Sequence, residues 1–357
     1  MQNAYLLLEN GTVFQGKSFG AQGETVGEIV FTTAMTGYLE TLTDPSYYGQ
    51  IVVQTFPLIG NYGVIPEDFE SKCPHLKGYI VRQWCQEPSN FRCQGDLDIF
   101  LQKNGIVGLC DIDTRALTRI VREHGVMNGK IVQSFDGSIP EEIKGYKIID
   151  AVENTTCSQE EISQPDGEIK RKVVLYDFGA KANICRSLVE RGCQVITVPA
   201  HTSAERVLEL APDGIMLSNG PGDPAENVGI IEELRKLSEK KIPTFGICLG
   251  HQLYALAHGA KTEKLKYGHR GANQPCTDTE TGRVYITSQN HGYAVVNDSL
   301  PENAKVSFYN ANDGTCEGVK YLDEPAFSVQ FHPEACAGPL DTGFLFDEFV
   351  TLMDNNK

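Results

Sequence analysis

The chain has 357 residues, of which 47 are acidic and 31 are basic, so its formal charge at pH 7 is −16. This charge disfavours binding to a nucleic-acid backbone, and 41% hydrophobic residues exclude a disordered chain. Because about 100 to 200 residues make a domain, the length predicts two domains.

The composition also favours a cytoplasmic protein with reduced thiols. No run approaches the ~18 apolar residues that a membrane span needs, and residues 1–5 lack the basic start of a signal peptide. The eleven cysteines are odd in number and scattered, and a chain of this length does not need disulfides for stability.

The first 150 residues predict a mixed α/β domain. Extended segments are predicted at 4–8, 28–32, 51–56, 78–82 and 105–109, and a helix is predicted at 114–124. The polar residues of this domain form no catalytic cluster that its sequence pattern reveals.

Residues 11–18 match the phosphate-loop pattern G-x-x-x-x-G-K-S, which binds phosphates only where a helix begins at the lysine. Asn10 and Gly11 are instead typical of a hairpin turn, and residues 12–15 of the returning strand. We interpret the match as a β-hairpin, which leaves the chain without a credible ATP site.

The polar segment 151–171 is predicted to be the linker, since Pro165 and Gly167 break regular structure. Residues 172–357 then form the second predicted domain, in which strands alternate with helices. Strands are predicted at 173–177, 194–198, 214–217 and 242–247, followed respectively by helices at 182–191, 203–210, 227–240 and 249–258; later strands lie near 283–287, 304–309 and 326–331, and a last helix lies near 343–353. This order predicts a doubly wound, mostly parallel sheet with its site at the carboxyl ends of the strands.

Residues 242–252 predict a reactive cysteine where a strand turns into a helix. Cys248 lies between Gly246 and Gly250 in a Gly-x-Cys-x-Gly sequence, which is the nucleophile-elbow pattern with sulfur in place of oxygen. The glycines relieve crowding at a sharp turn, and a helix N-terminus favours the thiolate form of a cysteine. A lone cysteine is more often a small buried apolar residue, but the elbow favours a nucleophile.

A second candidate pair, His332 and Glu334, follows the strand at 327–331. Residues two apart in an extended strand lie on the same side, so we expect the imidazole and the carboxylate to hydrogen-bond while Pro333 stiffens the turn. Alone, such a pair is more often a surface histidine beside a solvated glutamate. Because both motifs follow strands of one predicted sheet, they predict a Cys248-His332-Glu334 triad.

Two polar turns complete the candidate site. Residues 218–224 either form a tight connection or present the Gly220 amide, together with the Leu249 amide, to a developing oxyanion. Residues 288–293, Ser-Gln-Asn-His-Gly-Tyr, are predicted to be a turn that either binds a polar substrate or ends a strand.

The combination of Gly-Ile-Cys-Leu-Gly-His-Gln, Ser-Asn-Gly-Pro-Gly-Asp-Pro and Phe-His-Pro-Glu-Ala resembles the class I glutamine amidotransferases, whose triad is Cys-His-Glu. This resemblance covers the chain from residue 172 to its end. Residues 28–47, 60–63 and 111–119, with the order and total length of the two halves, resemble the family of carbamoyl phosphate synthetase small subunits.

The resemblance implies a role for each matching residue. Cys248 is expected to be the nucleophile, His332 the acid-base and Glu334 its orienting group, with the backbone amides of Gly220 and Leu249 as the oxyanion hole. Contacts to the glutamine substrate are expected from Ser46, Gly220, Gly222, Leu249, Gln252, Asn290, Gly292 and Tyr293. Since Ser46 comes from the first domain, the resemblance implies a glutamine pocket at the domain interface.

The resemblance also implies a partner, because making carbamoyl phosphate requires ATP and this chain has no credible ATP site. The implied partner is the large, ATP-binding synthetase subunit, which uses ATP, Mg and bicarbonate and receives the ammonia released here. Its product feeds arginine or pyrimidine synthesis. In this chain itself we expect no cofactor and no metal, and no binding to nucleic acid or membrane.

Two other functions are consistent with the same motifs. A free-standing hydrolase of γ-glutamyl bonds would turn over glutamine fully without a partner. A non-catalytic scaffold of the synthetase would keep the fold but should have lost Cys248 or His332, and this chain has both.

Overall fold

The computed structural model describes residues 2–356, which divide into one unit ending at Ala151 and a second beginning at Val152. Within residues 2–356, no helix is both long and apolar enough to cross a membrane.

The predicted linker, 151–171, is corrected by the structure. Val152 is buried in the core of the second unit, and Glu161–Ser163 is a strand of its sheet. The segment is polar because an edge strand exposes one side to water.

The first unit is a closed β-barrel with helices packed against it. Its strands are β1 (Asn3–Leu8), β2 (Val13–Gly20), β3 (Thr25–Thr32), β4 (Gln50–Gln54), β5 (Leu58–Ile59), β6 (Gly78–Ile80), β7 (Gln83–Trp84), β8 (Val107–Cys110) and β9 (Met127–Val132), and its helices are α1 (Tyr38–Thr43), α2 (Leu97–Lys103), α3 (Thr114–His124) and α4 (Glu142–Gly145). The barrel order is β1-β2-β8-β6-β4-β3-β9, and β5 pairs with β7. Closure of the barrel, which the sequence pattern does not indicate, leaves its sheet without open edges.

Two local predictions for this unit are confirmed, the helix at 114–124 and the hairpin at 11–18. The α3 helix begins where the Asp113 side chain accepts a hydrogen bond from the Ala116 amide at 3.0 Å, and it buries Leu117 and Val121. Lys17 lies within β2, opposite Asn3 of β1. The hairpin interpretation of residues 11–18 is therefore confirmed, because a strand and not a helix contains the lysine of the phosphate-loop match.

The second unit is an α/β sheet with helices on both faces. Its strands are β10 (Glu161–Ser163), β11 (Arg171–Asp177), β12 (Cys193–Pro199), β13 (Gly214–Leu217), β14 (Thr244–Ile247), β15 (Thr262–Asp278), β16 (Val284–Val295), β17 (Ala304–Asn310), β18 (Cys316–Tyr321) and β19 (Ala326–Val329), and its helices are α5 (Ala182–Glu190), α6 (Ala204–Glu209), α7 (Val228–Ser238), α8 (Leu249–Ala257) and α9 (Phe344–Asp354). Alternate residues of β11 enter different cores: Val174 and Tyr176 pack in one, Val173 and Leu175 in the other. The sheet is thus covered on both faces, and the predicted fold class is confirmed.

The sheet has the order β10-β12-β11-β13-β14-β19-β18-β17-β15-β16. The strands from β12 to β19 in this order are parallel, and from β19 to β16 the neighbours are antiparallel. The antiparallel part includes residues 288–293, which lie inside β16. Their prediction as a turn is wrong, because this polar stretch pairs on one side with β15.

Candidate active site

Cys248 lies at the sharp turn between β14 and α8. Its backbone has φ 52° and ψ −102°, a conformation that non-glycine residues rarely adopt. Such a conformation costs about 1–3 kcal/mol and persists where the surroundings enforce it. Here the Cys248 amide donates to the Val329 carbonyl of β19 at 2.8 Å, and the side chain is buried. The enforced turn places the sulfur at the carboxyl end of the central strands.

The two flanking glycines are required by the packing of this turn. A Cβ on Gly250 would lie 2.4 Å from the Leu217 carbonyl oxygen, and a Cβ on Gly246 would lie 3.0 Å from the backbone of Gly250. The Gly250 amide also donates to the Ser218 carbonyl at 2.9 Å. The elbow therefore packs directly against the end of β13 and the turn that follows it.

The turn after β13 brings Gly220 to the start of α8. A Cβ on Gly220 would lie 2.2 Å from the Phe178 carbonyl oxygen and 2.7 Å from the Leu249 side chain. Leu249 is the first residue of α8, so its N–H has no acceptor within the helix. This geometry agrees with an oxyanion hole made by the Gly220 and Leu249 amides, and that role stays a prediction.

His332 and Glu334 form a buried pair after β19. The Nδ1–H of His332 donates to Oε1 of Glu334 at 2.7 Å, as their spacing predicts, and His332 is 2% exposed. The other ring nitrogen, Nε2, is buried and has no hydrogen-bond partner among residues 2–356. The carboxylate thus fixes one tautomer and leaves Nε2 available for proton transfer.

The strand pairing brings Cys248 and His332 to the same edge of the sheet. β14 and β19 are parallel neighbours. Cys248 directly follows β14, and His332 follows β19 after two further residues. Both also contact β16: the Cys248 sulfur lies 3.8 Å from the Asn290 carbonyl oxygen, and the His332 amide donates to the Ser288 carbonyl at 2.9 Å. A thiol, an imidazole and a carboxylate in this arrangement suit nucleophilic attack on an amide.

Lys181 is a site residue that the sequence analysis missed. Its Nζ lies 2.8 Å from Oε1 of Glu334, and both side chains are buried. Burial alone would raise the pKa of Glu334, but the charges and hydrogen bonds of Lys181 and His332 outweigh it and lower that pKa to about 2. Glu334 is therefore a carboxylate throughout the neutral range, as a group that orients an imidazole must be.

The position of Lys181 is fixed by its neighbours. Its amide donates to Oδ1 of Asn219 at 2.9 Å, and Nδ2 of Asn219 donates to the Gly179 carbonyl at 3.0 Å. The signal for Lys181 was available, since it follows β11 at the same edge of the sheet. This signal is weak, because a lysine near a strand end is ordinarily solvated.

The predicted glutamine-binding residues of the second unit lie around this edge. Nε2 of Gln252 donates to the Tyr293 carbonyl at 2.7 Å, which ties α8 to β16. Asn290 and Gly292 precede Tyr293 in the same strand, and Gly222 has a φ of 89° in the turn after β13. The Gln252–Tyr293 hydrogen bond joins the helix after the elbow to the strand that carries Asn290 and Gly292. The role of all these residues in binding glutamine stays a prediction.

Ser46 lies in the first unit, in a short turn of 3-10 helix at Pro45–Tyr47. Its amide donates to Oδ1 of Asp44 at 2.9 Å, and the residue is buried. The proposed contact of Ser46 with glutamine, and with it a pocket at the domain interface, stays a prediction.

Comparison with known families matches both halves of the chain. Residues 174–352 match the family described as glutamine amidotransferase class-I. Residues 6–131 match the CPSase domain of the carbamoyl-phosphate synthase small chain. The first match contains the elbow and the His332–Glu334 pair.

Similar proteins cover the whole chain. The carbamoyl phosphate synthase small chain of Clostridium perfringens is 54% identical over 97% of this chain and 98% of its own length. That of Fusobacterium nucleatum is 52% identical over 100% of this chain and 99% of its own length. A protein of Halalkalibacterium halodurans named carbamoyl phosphate synthase pyrimidine-specific small chain is 49% identical over 99% of this chain and 97% of its own length.

Proposed function

Because the chain belongs to the family of carbamoyl phosphate synthase small chains, we propose that it is the glutaminase subunit of a glutamine-hydrolysing carbamoyl phosphate synthase. The observation that carries this function is the strained Cys248 elbow at the same sheet edge as the buried His332–Glu334 pair. A class I glutamine amidotransferase domain supports the same chemistry.

The first half of the reaction is acylation of the cysteine. Nε2 of His332 takes the proton of the Cys248 thiol, and the thiolate attacks the carbon of the glutamine side-chain amide. The resulting oxyanion is held by the amides of Gly220 and Leu249. Nε2–H of His332 then gives its proton to the departing nitrogen. Ammonia leaves, and the γ-glutamyl group remains on sulfur as a thioester.

The second half is hydrolysis of that thioester. His332 has lost its Nε2 proton, so this nitrogen accepts a proton from water while the water oxygen attacks the thioester carbon. Collapse of the second tetrahedral intermediate releases glutamate and regenerates the Cys248 thiolate. Glu334 holds the imidazole through Nδ1 in both halves, and Lys181 keeps Glu334 ionised.

The partner follows from the chemistry that this chain does not supply. Carbamoyl phosphate synthesis consumes ATP, and the phosphate-loop match of residues 11–18 is a β-hairpin. We propose that a large ATP-binding subunit makes carbamoyl phosphate from bicarbonate and the ammonia released at Cys248. Ammonia would be protonated in bulk water, which favours its direct passage between the subunits.

The experiment that tests this function compares glutamine hydrolysis by the chain alone and in complex with the large subunit of a related synthase. With ATP and bicarbonate, the complex should make carbamoyl phosphate from glutamine, and glutamine hydrolysis should rise roughly tenfold over that of the isolated chain. Full hydrolysis by the isolated chain, unchanged by the large subunit, would instead identify a free-standing hydrolase. A complex that uses ammonia but never glutamine would identify a scaffold.

A further inference from the structure

A buried guanidinium lies beside the strand that is predicted to bind glutamine. Arg270 of β15 is 6% exposed, and its direct partner in the β15–β16 register is Asn290. Such partners place their side chains on the same face of the sheet, and residues two apart in one strand also share a face. The Arg270 side chain therefore lies on the face of β16 that Asn290 and Gly292 share. The reaction steps described above do not use it.

Two glycines leave space for this guanidinium. A Cβ on Gly292 would lie 3.3 Å from one terminal nitrogen of Arg270, Nη2, and a Cβ on Gly268 would lie 2.5 Å from the other, Nη1. A side chain at position 268 would collide with the guanidinium, and one at position 292 would crowd it. The guanidinium thus occupies a slot between β15 and β16 that the two glycines keep open.

An irregularity in β15 aims the arginine into this slot. The pairing of β15 with β16 shifts its register between Lys264 and His269, so that β15 bulges there. Nη1 of Arg270 donates to the carbonyl of Tyr267, inside the bulge, at 2.7 Å. β-Bulges are common beside active sites, where they re-aim a side chain. Here the bulge holds the guanidinium beside Gly292.

The separation between this guanidinium and the nucleophile matches the length of glutamine. The Cys248 sulfur lies 3.8 Å from the Asn290 carbonyl oxygen, whereas Nη2 of Arg270 lies beside Gly292, two residues further along β16. Two residues of a strand span about 7 Å. The δ-carbon of glutamine and its α-carboxylate carbon are four bonds apart, about 5 Å in an extended chain. A glutamine along β16 with its amide at Cys248 therefore brings its α-carboxylate to the level of Gly292.

The guanidinium suits a carboxylate ligand better than the exposed cation nearby. Its planar fork of N–H groups matches the two oxygens of a carboxylate, and it stays charged at any working pH. Lys264 also lies near β16, with Nζ 5.9 Å from the centre of the Tyr293 ring, but its side chain is exposed. Water and salt screen an exposed charge far more than a buried one.

We propose that Arg270 is a specificity-determining residue of glutamine hydrolysis, whose guanidinium binds the α-carboxylate of glutamine. This inference rests on the proposed function, because it takes glutamine as the substrate at Cys248. It also narrows the substrate class to a free α-amino acid. A glutamine residue inside a peptide has no α-carboxylate and would leave the buried guanidinium facing a neutral amide.

The kinetic test compares L-glutamine with L-glutamine α-amide, which keeps the reacting side-chain amide and lacks the α-carboxylate. In the complex with the large subunit, Arg270→Gln should raise KM for glutamine roughly thirtyfold, because it removes hydrogen bonds to a charged group. The value of kcat should stay within about twofold, since substrate and transition state are bound alike. The kcat/KM for the α-amide should not fall with that for glutamine. Arg270→Lys, which keeps the charge, should recover part of the loss.

A merely structural arginine would give a different pattern. Its loss would lower kcat/KM for glutamine and for the α-amide by the same factor, and that result would overturn the proposal. The control is Arg283→Gln, because Arg283 is exposed at the start of β16, with its guanidinium carbon 4.7 Å from the centre of the Tyr285 ring. This control should keep the wild-type KM. Circular dichroism checks the fold, and Arg270→Lys gives the same ratio of substrates if Arg270→Gln does not fold.

A binding measurement separates this proposal from the proposed function. Calorimetry measures the Kd of glutamine for the full chain carrying Cys248→Ser, which is not acylated, with and without Arg270→Gln. We expect the second substitution to raise that Kd roughly thirtyfold. Equal Kd values for the two chains would overturn the assignment of Arg270. A wild-type complex that hydrolyses no glutamine would refute the proposed function, and the Kd values would still decide whether Arg270 binds the amino acid.

Discussion

Replacing Cys248 with serine should abolish glutamine-dependent synthesis of carbamoyl phosphate by the complete enzyme, while ammonia-dependent synthesis continues. The serine hydroxyl is a far weaker nucleophile than a thiolate, and the residual rate should be lower by at least about a thousandfold. In the proposed function the active site that consumes ammonia belongs to the large subunit, so this change should leave it intact. The measurement is carbamoyl phosphate formation with glutamine and, separately, with ammonium salts.

A matched control for this change is Cys193→Ser. Cys193 is also a buried thiol of the second unit, but it lies at the start of β12, at the amino ends of the parallel strands, whereas the elbow follows the carboxyl end of β14. Its burial raises the pKa of the thiol to about 11, so it is an inert core residue. The control should retain glutamine use in proportion to its folded fraction. Normal glutamine turnover by Cys248→Ser would refute the assigned nucleophile.

The second large effect is expected from Lys181→Met, which removes the ammonium beside Glu334. Breaking a buried ion pair leaves an uncompensated charge, at a cost of about 3–5 kcal/mol in the free energy of unfolding. Without Lys181, burial raises the pKa of Glu334, and its carboxylate no longer holds the His332 imidazole as firmly. We expect lower kcat for glutamine hydrolysis as well as lower stability.

The pH dependence of stability separates this role from simple loss of packing. In the wild-type chain the pKa of Glu334 is lowered from 4.5 to about 2. Its contribution to stability is present above pH 4.5 and is lost as the pH falls towards 2. In Lys181→Met the pKa of Glu334 lies nearer to or above its unfolded value, so the loss of stability between pH 4.5 and pH 2 should be smaller than in the wild type or absent, as measured by denaturant unfolding across the acid range.

Lys236→Met is the control for Lys181→Met, because Lys236 pairs with Glu233 at an exposed position of α7 in the same unit. An exposed pair contributes little, so this variant should remain near wild type in activity and stability. Equal effects of the two substitutions, or an unchanged acid limb in Lys181→Met, would show that Lys181 does not act through Glu334.

Most of the parallel sheet could be predicted from the sequence because buried strands and amphipathic helices differ in period. The elbow was recognisable for the same reason: the glycines at 246 and 250 are local requirements of one turn, written within five residues. His332 and Glu334 hydrogen-bond as their spacing predicts. These features depend on short-range geometry.

What the sequence did not indicate depends on contacts between distant strands. Lys181 reaches Glu334 because β11 and β19 end at one edge of the sheet, and no local pattern records that meeting. Closure of the first unit into a barrel depends on pairing β1 with β9. The segment 288–293 was mistaken for a turn because its polar residues face a buried network in place of water.

The central claim is that glutamine is cleaved through a thioester on Cys248. The most direct measurement is acid quenching of the complex during turnover, followed by intact-mass and peptide analysis of this chain. We predict one γ-glutamyl group per chain, released by hydroxylamine, located at Cys248 and missing from Cys248→Ser. Steady turnover with an adduct on another residue, or with glutamate formed by Cys248→Ser at the wild-type rate, would contradict the account.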